Sequence, residues 1–247
     1  MKILIGLPVF KREWILPEWF ACIERQTVPL SDLGFLFELG PNDDATHNML
    51  WEWHSRHPEV AVFDGTIRYD EKHATHAENT RMWRKDGYTR MVNFRNNLLE
   101  QVKNYQPERY MSLDSDILLQ DPKSLEVLFD ATKDGGAAAP LSYMKPQTIA
   151  FPNVMTWRDQ PGRIGDRQLE HYPIGETFEV DVIMAAVMMH PDVYNNIRYR
   201  WHRQGEDVGW AAEMQRAGKK MYSVSGIYAP HIMHQWMLDD YFAAKTS

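Results

Sequence analysis

Short apolar runs alternate with amphipathic segments along most of the chain, and this alternation limits the possible folds more than any other feature. Residues 2–10 (KILIGLPVF), 33–39 (LGFLFEL) and 60–67 (VAVFDGTI) have the length and composition of buried strands. Segments 14–26 and 45–57 between them carry apolar residues at helical spacing. Strands that alternate with helices predict an α/β fold, with a mostly parallel sheet flanked by helices.

The rest of the chain repeats this pattern around two interruptions. Proline cannot donate to a sheet ladder, so Pro8 is expected to end the first strand. Segments 68–89 and 144–178 have no clear period and are predicted to be long loop insertions in one domain that spans residues 1–247. Further helices are expected at 90–105, 122–132, 191–197 and 206–217, and further strands at 109–113, 136–143, 179–190 and 219–226.

Composition excludes some classes of protein. The formal net charge of −7 argues against sequence-blind binding to nucleic acid, which needs a basic surface. The single cysteine, Cys22, rules out an internal disulfide and fits a reducing cytoplasm. The longest apolar run after the N-terminal strand, at 182–189, is too short to cross a bilayer, so no membrane partner is predicted.

Two aspartates, Asp114 and Asp116, follow the predicted strand 109–113. Ligands bind beyond the carboxyl ends of the strands in sheets of this kind. If the extended geometry continues, both carboxylates share one face and repel each other unless a cation neutralises them. Hard oxygen ligands suit Mg²⁺ or Mn²⁺, whose coordination substrate phosphates often complete. The alternative is a solvated turn in which Asp114 caps the following segment.

Two later motifs also carry groups that could act in a reaction. Glu206 and Asp207 stand at the start of a predicted helix, where they either cap the helix or supply a catalytic carboxylate. His231 and His234 are three residues apart, and either could give a nitrogen ligand to a metal held by Asp116. The alternative for each histidine is a hydrogen-bonded structural role.

Taken in order, these motifs resemble those of a GT-A fold, nucleotide-sugar-dependent glycosyltransferase of family 2. The segments that carry the resemblance are ILIGLPVFKRE, FLFELGPNDDAT, VNFRNNLLEQV, YMSLDSDILL with its D-x-D, GEDVGWAAEMQRAGKKMY and IYAPHIMH. Their order and spacing are also similar to those of the fungal Anp1/Mnn9-like mannosyltransferases. The resemblance covers nearly the whole chain apart from 68–89 and 145–178.

The resemblance implies a metal-dependent enzyme that moves a hexosyl or pentosyl group from a UDP- or GDP-linked sugar to a hydroxyl. It divides the chain into a nucleotide-binding half, about 1–120, and an acceptor-binding half, about 121–247. The implied roles are nucleoside binding by the backbone around Pro8 with Asp43 or Asp44, phosphate neutralisation by Arg95, ribose or metal-bound water contact by Asp114, and Mn²⁺ or Mg²⁺ ligation by Asp116 and His234.

Asp207 is implied as the base that deprotonates the acceptor if the reaction inverts, with Glu206 as the next candidate. Family 2 enzymes invert and the Anp1-like enzymes retain, so the stereochemistry stays open. The acceptor is a glycan, a small molecule, a protein or a hydroxymethylated base in DNA. Sugar or base platforms are expected among Trp83, Trp157, Tyr172 and Trp201.

Two other functions compete with sugar transfer. A nucleotidyltransferase would share the fold, but GLPVFKRE lacks the Gly-rich loop and the Arg-Lys pair that usually open such a chain. In a non-catalytic module that binds a sugar or a nucleotide, the carboxylates of Asp116 and Asp207 would have no chemical role.

Overall fold

A computed structural model of the chain describes residues 1–40, 44–67, 85–145, 148–157 and 173–246. The strands are β1 (Ile3–Val9), β2 (Leu33–Leu39), β3 (Val62–Ile67), β4 (Arg109–Leu113), β5 (Ala137–Leu141), β6 (Tyr143–Lys145), β7 (Thr148–Pro152), β8 (Val154–Met155), β9 (Thr177–Val180), β10 (Val182–Ile183), β11 (Ala186–Met189) and β12 (Met221–Tyr228). The helices are α1 (Leu16–Glu24), α2 (Thr46–Arg56), α3 (Lys85–Tyr105), α4 (Ser124–Ala131), α5 (Pro191–Tyr194), α6 (Glu206–Arg216) and α7 (Gln235–Thr246). None of these helices is both long and apolar enough to cross a membrane.

The central sheet has eight strands in the order β3-β2-β1-β4-β11-β5-β12-β9. β1 pairs in parallel with β2 and with β4, β2 with β3, and β5 with β12. β11 runs antiparallel between β4 and β5, and β9 forms an antiparallel edge. This is the predicted α/β architecture with a mostly parallel sheet.

Both faces of the sheet are covered, so the strands are apolar on both sides. One face packs against α1, α2, α4 and α7, where Trp19, Phe20, Phe35 and Trp53 form a cluster of ring contacts. The other face packs against α3, α5 and α6. Polar side chains from the segments that follow β1 and β4 meet at the carboxyl ends of these strands, where Arg12 contacts Asp116.

Pro8 does not end the first strand, contrary to the sequence prediction. It lies inside β1 and pairs in register with Glu38 of β2. The β4 ladder stops at the pair of Gly6 with Ser112, so Pro8 lies beyond it, where β1 has no β4 partner to lose.

Four other segments differ from their predicted structure. The strand predicted at 179–190 is divided among β9, β10 and β11, because the chain bends at Asp181 and turns at Ala185, whose φ is 70°. The predicted loop 68–89 overlaps α3, which begins at Lys85, while residues 68–84 lie outside the described part. The predicted insertion 144–178 contains β7 and β8. No helix was predicted at 235–246, where the structure has α7.

Candidate active site

Arg95 of α3 gathers three carboxylates, and we call this group the Arg95 cluster. Its Nη2 donates to Asp114 Oδ1 at 2.8 Å and its Nε donates to Glu206 Oε1 at 3.2 Å. Nη1 donates to the Ser112 hydroxyl at 2.7 Å, and Asp207 Oδ1 lies 3.9 Å from Nη2. The Arg95 side chain is 2% exposed. A buried guanidinium therefore joins the end of β4 to the first turn of α6.

The charges in the Arg95 cluster do not balance, since one guanidinium faces the carboxylates of Asp114, Glu206 and Asp207. Burial opposes the charge of Arg95, but these carboxylates hold its pKa well above the ordinary value. Burial also raises the pKa of Asp207, and the negative charges of Glu206 and Asp114 act in the same direction against the opposing effect of Arg95. The pKa of Asp207 therefore lies well above the ordinary value of an aspartate.

Asp207 also differs from its neighbours in its hydrogen bonding. Its Oδ1 atom is buried and has no hydrogen-bond partner in the structure. A buried carboxylate oxygen without a donor is costly in a folded protein and calls for an explanation. An oxygen that is free to accept a proton from a bound hydroxyl would supply one.

The second aspartate of the D-x-D belongs to a different group, which we call the Arg12 cluster. Arg12 Nη2 donates to Asp116 Oδ2 at 2.8 Å, and His231 Nε2 lies 3.2 Å from Asp116 Oδ1. Arg12 Nε donates to the Ser115 hydroxyl at 3.2 Å, and the Arg12 backbone N–H donates to the Thr46 hydroxyl at 2.7 Å. Arg12 and Asp116 are 6% and 5% exposed, so this ion pair is buried.

The expectation that Asp114 and Asp116 share one face is wrong, because the strand does not continue through them. β4 ends at Leu113, and the Ile117 N–H donates to the Asp114 carbonyl at 3.1 Å, which closes a turn. The turn sends one carboxylate to Arg95 and the other to Arg12. Each aspartate is therefore paired with a different arginine, with Ser115 between them.

His231 reaches Asp116 because the backbone around each residue is paired. Ile117 and His231 form an antiparallel bridge, and the Ile232 N–H donates to the Asp116 carbonyl at 2.8 Å. Burial lowers the pKa of His231, but Asp116 outweighs this effect and the pKa is raised. His234, in contrast, is exposed, and its ring stacks on Trp236 with centroids 6.2 Å apart.

Three left-handed backbone positions surround the two clusters. Lys11, next to Arg12, has a φ of 50°, and Gly205, next to Glu206, has a φ of 123°. Ala185 has a φ of 70°, and its carbonyl accepts the Asp114 N–H at 2.7 Å. Left-handed conformations are unfavourable for residues other than glycine and concentrate at functional sites. Lys11 and Ala185 therefore support the assignment of this region as the site.

Asn96 holds the segment that leads into α6, a role that sequence patterns did not reveal. Its side chain donates to the Tyr199 carbonyl at 3.0 Å and accepts the Tyr199 N–H at 2.9 Å. Gly209 of α6 packs against the Arg200 carbonyl so closely that a Cβ there would collide with it. The Arg-Asn pair thus has two tasks, since Arg95 binds the carboxylates while Asn96 fixes the backbone that positions them.

Some of the remaining predicted residues lie in the described part of the chain, and the others lie outside it. Asp44 accepts the Thr46 N–H at 3.1 Å in a local turn, and Pro8 is half-buried near the end of β1. Asp43, Trp83 and Tyr172 lie outside the described residues. Trp201 is 47% exposed, and the backbone N–H of Trp157 donates to Asp181 Oδ2 at 2.8 Å.

The donor atoms at Asp116 and His231 fit a divalent cation in part. A carboxylate and an imidazole are suitable ligands for Mn²⁺, which often takes further oxygen ligands from phosphate and water. Among the residues that the structure describes, no group of three or more His, Cys, Asp or Glu side chains is arranged to hold a metal. The described residues therefore supply only part of a metal coordination shell, and a substrate would have to supply the rest.

Comparison with known sequences identifies the family. Residues 1–240 match the model of "Glycosyltransferase family 25, N-terminal domain". A "Glycosyltransferase 25 family member" of Aedes aegypti is 25% identical over 211 residues, which cover 82% of this chain and 33% of the relative. The chain thus spans about a third of that relative's length.

Solved structures share the fold at low sequence identity. The mannosyltransferase PcManGT of Pyrobaculum calidifontis, solved with GDP-Man and Mn²⁺, is 11% identical, with a TM-score of 0.58 over 94% of this chain and 57% of that one. S. aureus TarS 1–349 with UDP-GlcNAc is 11% identical, with a TM-score of 0.57 over 96% and 60% of the two chains. GalNAc-T7 with UDP, GalNAc and Mn²⁺ is 10% identical, with a TM-score of 0.64 over 95% and 44%.

These similarities confirm the GT-A fold. The family differs from the two named by the sequence resemblance, and nothing in these matches bears on Anp1/Mnn9-like specificity. The match over residues 1–240 shows that the chain belongs to the family described as glycosyltransferase family 25, in its N-terminal domain.

Proposed function

We propose that this chain transfers a sugar from a nucleotide diphosphate sugar to a hydroxyl group of an acceptor. One observation carries the proposal: the buried Oδ1 of Asp207, which has no hydrogen bond, lies 3.9 Å from the guanidinium that also binds Asp114 of the D-x-D. A proton acceptor and the D-x-D thus meet at the carboxyl end of β4. Family membership and the nucleotide-sugar complexes of the structural neighbours support the same chemistry.

Asp207 acts as the base in this proposal. A carboxylate with a raised pKa is a better proton acceptor at neutral pH than an ordinary aspartate. As Asp207 takes the hydroxyl proton, the acceptor oxygen forms a bond to the anomeric carbon and the bond from that carbon to the diphosphate breaks. The bonding electrons leave with the diphosphate. Glu206 bonds to Arg95 and serves as the alternative base, and the assignment of a base presumes an inverting reaction.

Arg95 and Asp114 connect this base to the donor side of the site. Arg95 keeps Asp114 and Glu206 in place through direct hydrogen bonds, so the position of Asp207 depends on the same guanidinium. The proposed role of Asp114 is a contact with the ribose or with a metal-bound water. The backbone around Pro8, with Asp43 or Asp44, is proposed to hold the nucleoside of UDP or GDP.

Asp116 and a histidine are the proposed ligands of Mn²⁺ or Mg²⁺. His231 is the first candidate because it contacts Asp116, while His234 remains the ligand that the sequence resemblance favours. When bound, such an ion supplies Lewis-acid stabilisation of the charge that develops on the diphosphate. The proposed metal dependence rests on this donor set and on the Mn²⁺ complexes of PcManGT and GalNAc-T7.

The proposed division of labour follows the two halves of the chain. Residues of about 1–120 bind the nucleotide, and those of about 121–247 bind the acceptor, with Trp157 and Trp201 as candidate platforms. The single cysteine, which is buried, is the basis for proposing a cytoplasmic location.

Release of nucleoside diphosphate from a panel of UDP- and GDP-sugars, with Mn²⁺ present and an acceptor panel that includes hydroxymethylated DNA, tests the proposal. We expect the wild-type protein to release nucleotide from at least one donor and Asp207→Asn to lower turnover by about 10²- to 10⁴-fold with its nucleotide affinity unchanged. Glu213→Gln on the same helix is the matched control and should keep full activity. Full activity in Asp207→Asn would move the base to Glu206, and no release from any donor would refute the function.

A further inference from the structure

The carboxylate proposed to bind the metal already has a cation beside it. Arg12 Nη2 lies 2.8 Å from Asp116 Oδ2, and the two side chains are each 7% exposed. A buried charge is stable only when a partner compensates it, so Asp116 is neutralised before any ion arrives. A divalent cation that binds Asp116 must therefore compete with a resident guanidinium.

Arg12 is held in this position by more than its ion pair. Ser115 accepts a hydrogen bond from Nε at 3.2 Å, the Phe10 carbonyl accepts one from Nη1 at 3.3 Å, and Thr46 accepts the backbone N–H at 2.7 Å. The neighbouring Lys11 adopts a left-handed backbone with a φ of 50°. The loop between β1 and α1 thus accepts an unfavourable conformation beside the residue whose guanidinium reaches Asp116.

From this arrangement we infer that Arg12 is the resident counter-cation of Asp116 and couples metal binding to nucleotide binding. The inference rests on the proposed function. An ion that arrives alone gains little, because it must displace a charge that already compensates Asp116. A nucleoside diphosphate offers new anionic partners to both the ion and the displaced guanidinium, so the ion and the nucleotide bind more tightly together than separately. Arg12 is thus a positioning residue that sets the strength of this coupling.

The coupling is the ratio of two Mn²⁺ dissociation constants, measured without and with saturating UDP or GDP. Linkage requires that Mn²⁺ change the affinity for the nucleotide by the same factor, which gives an independent check. Titration calorimetry, or electron paramagnetic resonance of free Mn²⁺, measures both quantities in the full chain without requiring turnover. Wild-type protein should bind Mn²⁺ weakly alone and at least about tenfold more tightly with one of the two nucleotides.

Arg12→Met removes the competing charge and retains most of the apolar volume. We expect this variant to bind Mn²⁺ alone about tenfold more tightly than the wild-type protein and to lose most of the coupling. Arg12→Lys, which keeps the charge, should stay closer to wild type. Arg25→Met is the matched control, since Arg25 is exposed and pairs with Glu18 at 3.4 Å.

Ser115→Ala provides a second route if Arg12→Met does not fold. It removes one hydrogen bond that holds the guanidinium and should shift the Mn²⁺ affinity in the same direction by a smaller factor. If wild-type protein binds Mn²⁺ with nucleotide but folded Arg12→Met and Ser115→Ala bind Mn²⁺ alone no better than wild type, the inference about Arg12 is wrong and the proposed function stands. If no variant binds Mn²⁺ even with nucleotide, the proposed metal site is wrong as well.

Discussion

The Arg95 cluster and the Arg12 cluster each pair one aspartate of the D-x-D with a buried arginine, but they differ in the number of carboxylates around that arginine. Each places a buried guanidinium 2.8 Å from one aspartate of the D-x-D. Arg95 faces three carboxylates, whereas Asp116 faces both Arg12 and His231. Negative charge is therefore in excess in the first cluster, while the single carboxylate of the second lies between a guanidinium and an imidazole.

This difference is consistent with the two chemical tasks that we propose for one short motif. Burial, with the nearby carboxylates of Glu206 and Asp114, raises the pKa of Asp207, which suits a proton acceptor at the Arg95 cluster. A carboxylate with exchangeable positive partners suits the binding of a cation and phosphates at the Arg12 cluster. The turn at Asp114–Ile117 allows both tasks, because it directs adjacent side chains to different partners.

Among the effects that distinguish the two clusters, the largest is expected on the metal-dependent affinity for nucleotide. Asp116→Ala removes the proposed metal carboxylate and should abolish the Mn²⁺-dependent gain in affinity for UDP or GDP, measured by calorimetry. His231→Ala should reduce the same gain while His234→Ala leaves it unchanged, because His231 contacts Asp116. Asp239→Ala, at an exposed position in α7, is the control. Unchanged Mn²⁺-dependent affinity in Asp116→Ala would rule out the metal assignment.

The next effect concerns stability. Arg95→Met leaves the buried Glu206 and the partly buried Asp114 and Asp207 without their shared cation and should lower the free energy of unfolding at pH 7 by about 3–5 kcal/mol. Arg12→Met should cost less, because Asp116 keeps His231. Urea denaturation of both variants measures the two losses under identical conditions. Equal losses would show that the charge ratio does not distinguish the clusters.

A smaller effect with the opposite sign is expected at Asp207. Its raised pKa means that the folded protein binds the Asp207 proton more tightly than the unfolded chain, so the ionised side chain destabilises the fold at pH values above about 3.9. Asp207→Asn should therefore raise stability by about 1 kcal/mol at pH 7, and the gain should vanish as the pH falls toward 4. Denaturation curves across this pH range, with Glu213→Gln as the control, test the sign. A loss of stability at pH 7 would contradict the proposed charge excess.

The smallest effect on stability is expected at Ala185, whose backbone contacts Asp114 of the Arg95 cluster. Ala185 has a φ of 70° and its carbonyl accepts the Asp114 N–H. Ala185→Gly relieves the left-handed strain but adds entropy to the unfolded chain, so we expect a net gain below about 1 kcal/mol in thermal denaturation. Ala186→Gly, at the start of β11, should instead destabilise the protein. A clear loss in Ala185→Gly would show that the turn is not strained.

Much of the sheet could be predicted because burial acts on each strand separately. β2 and β4 have the predicted bounds, 33–39 and 109–113, since each is a short apolar run with polar or turn-forming neighbours. The segment 179–190 was predicted as one strand because hydrophobicity alone does not reveal a left-handed residue such as Ala185. The helix α7 was missed because its apolar residues do not form one clear face.

The sequence by itself determined the α/β order, the D-x-D at the end of β4 and the two carboxylates at the start of α6. Only the tertiary structure decided which cation each carboxylate meets. Arg12 and Asp116 are 104 positions apart and Arg95 and Glu206 are 111 apart, so no local pattern could pair them. The physical reason is that hydrophobic periodicity places elements in layers, whereas ion pairs depend on the turn after β4, on the strained loop at Lys11 and on the packing of α3 against α6.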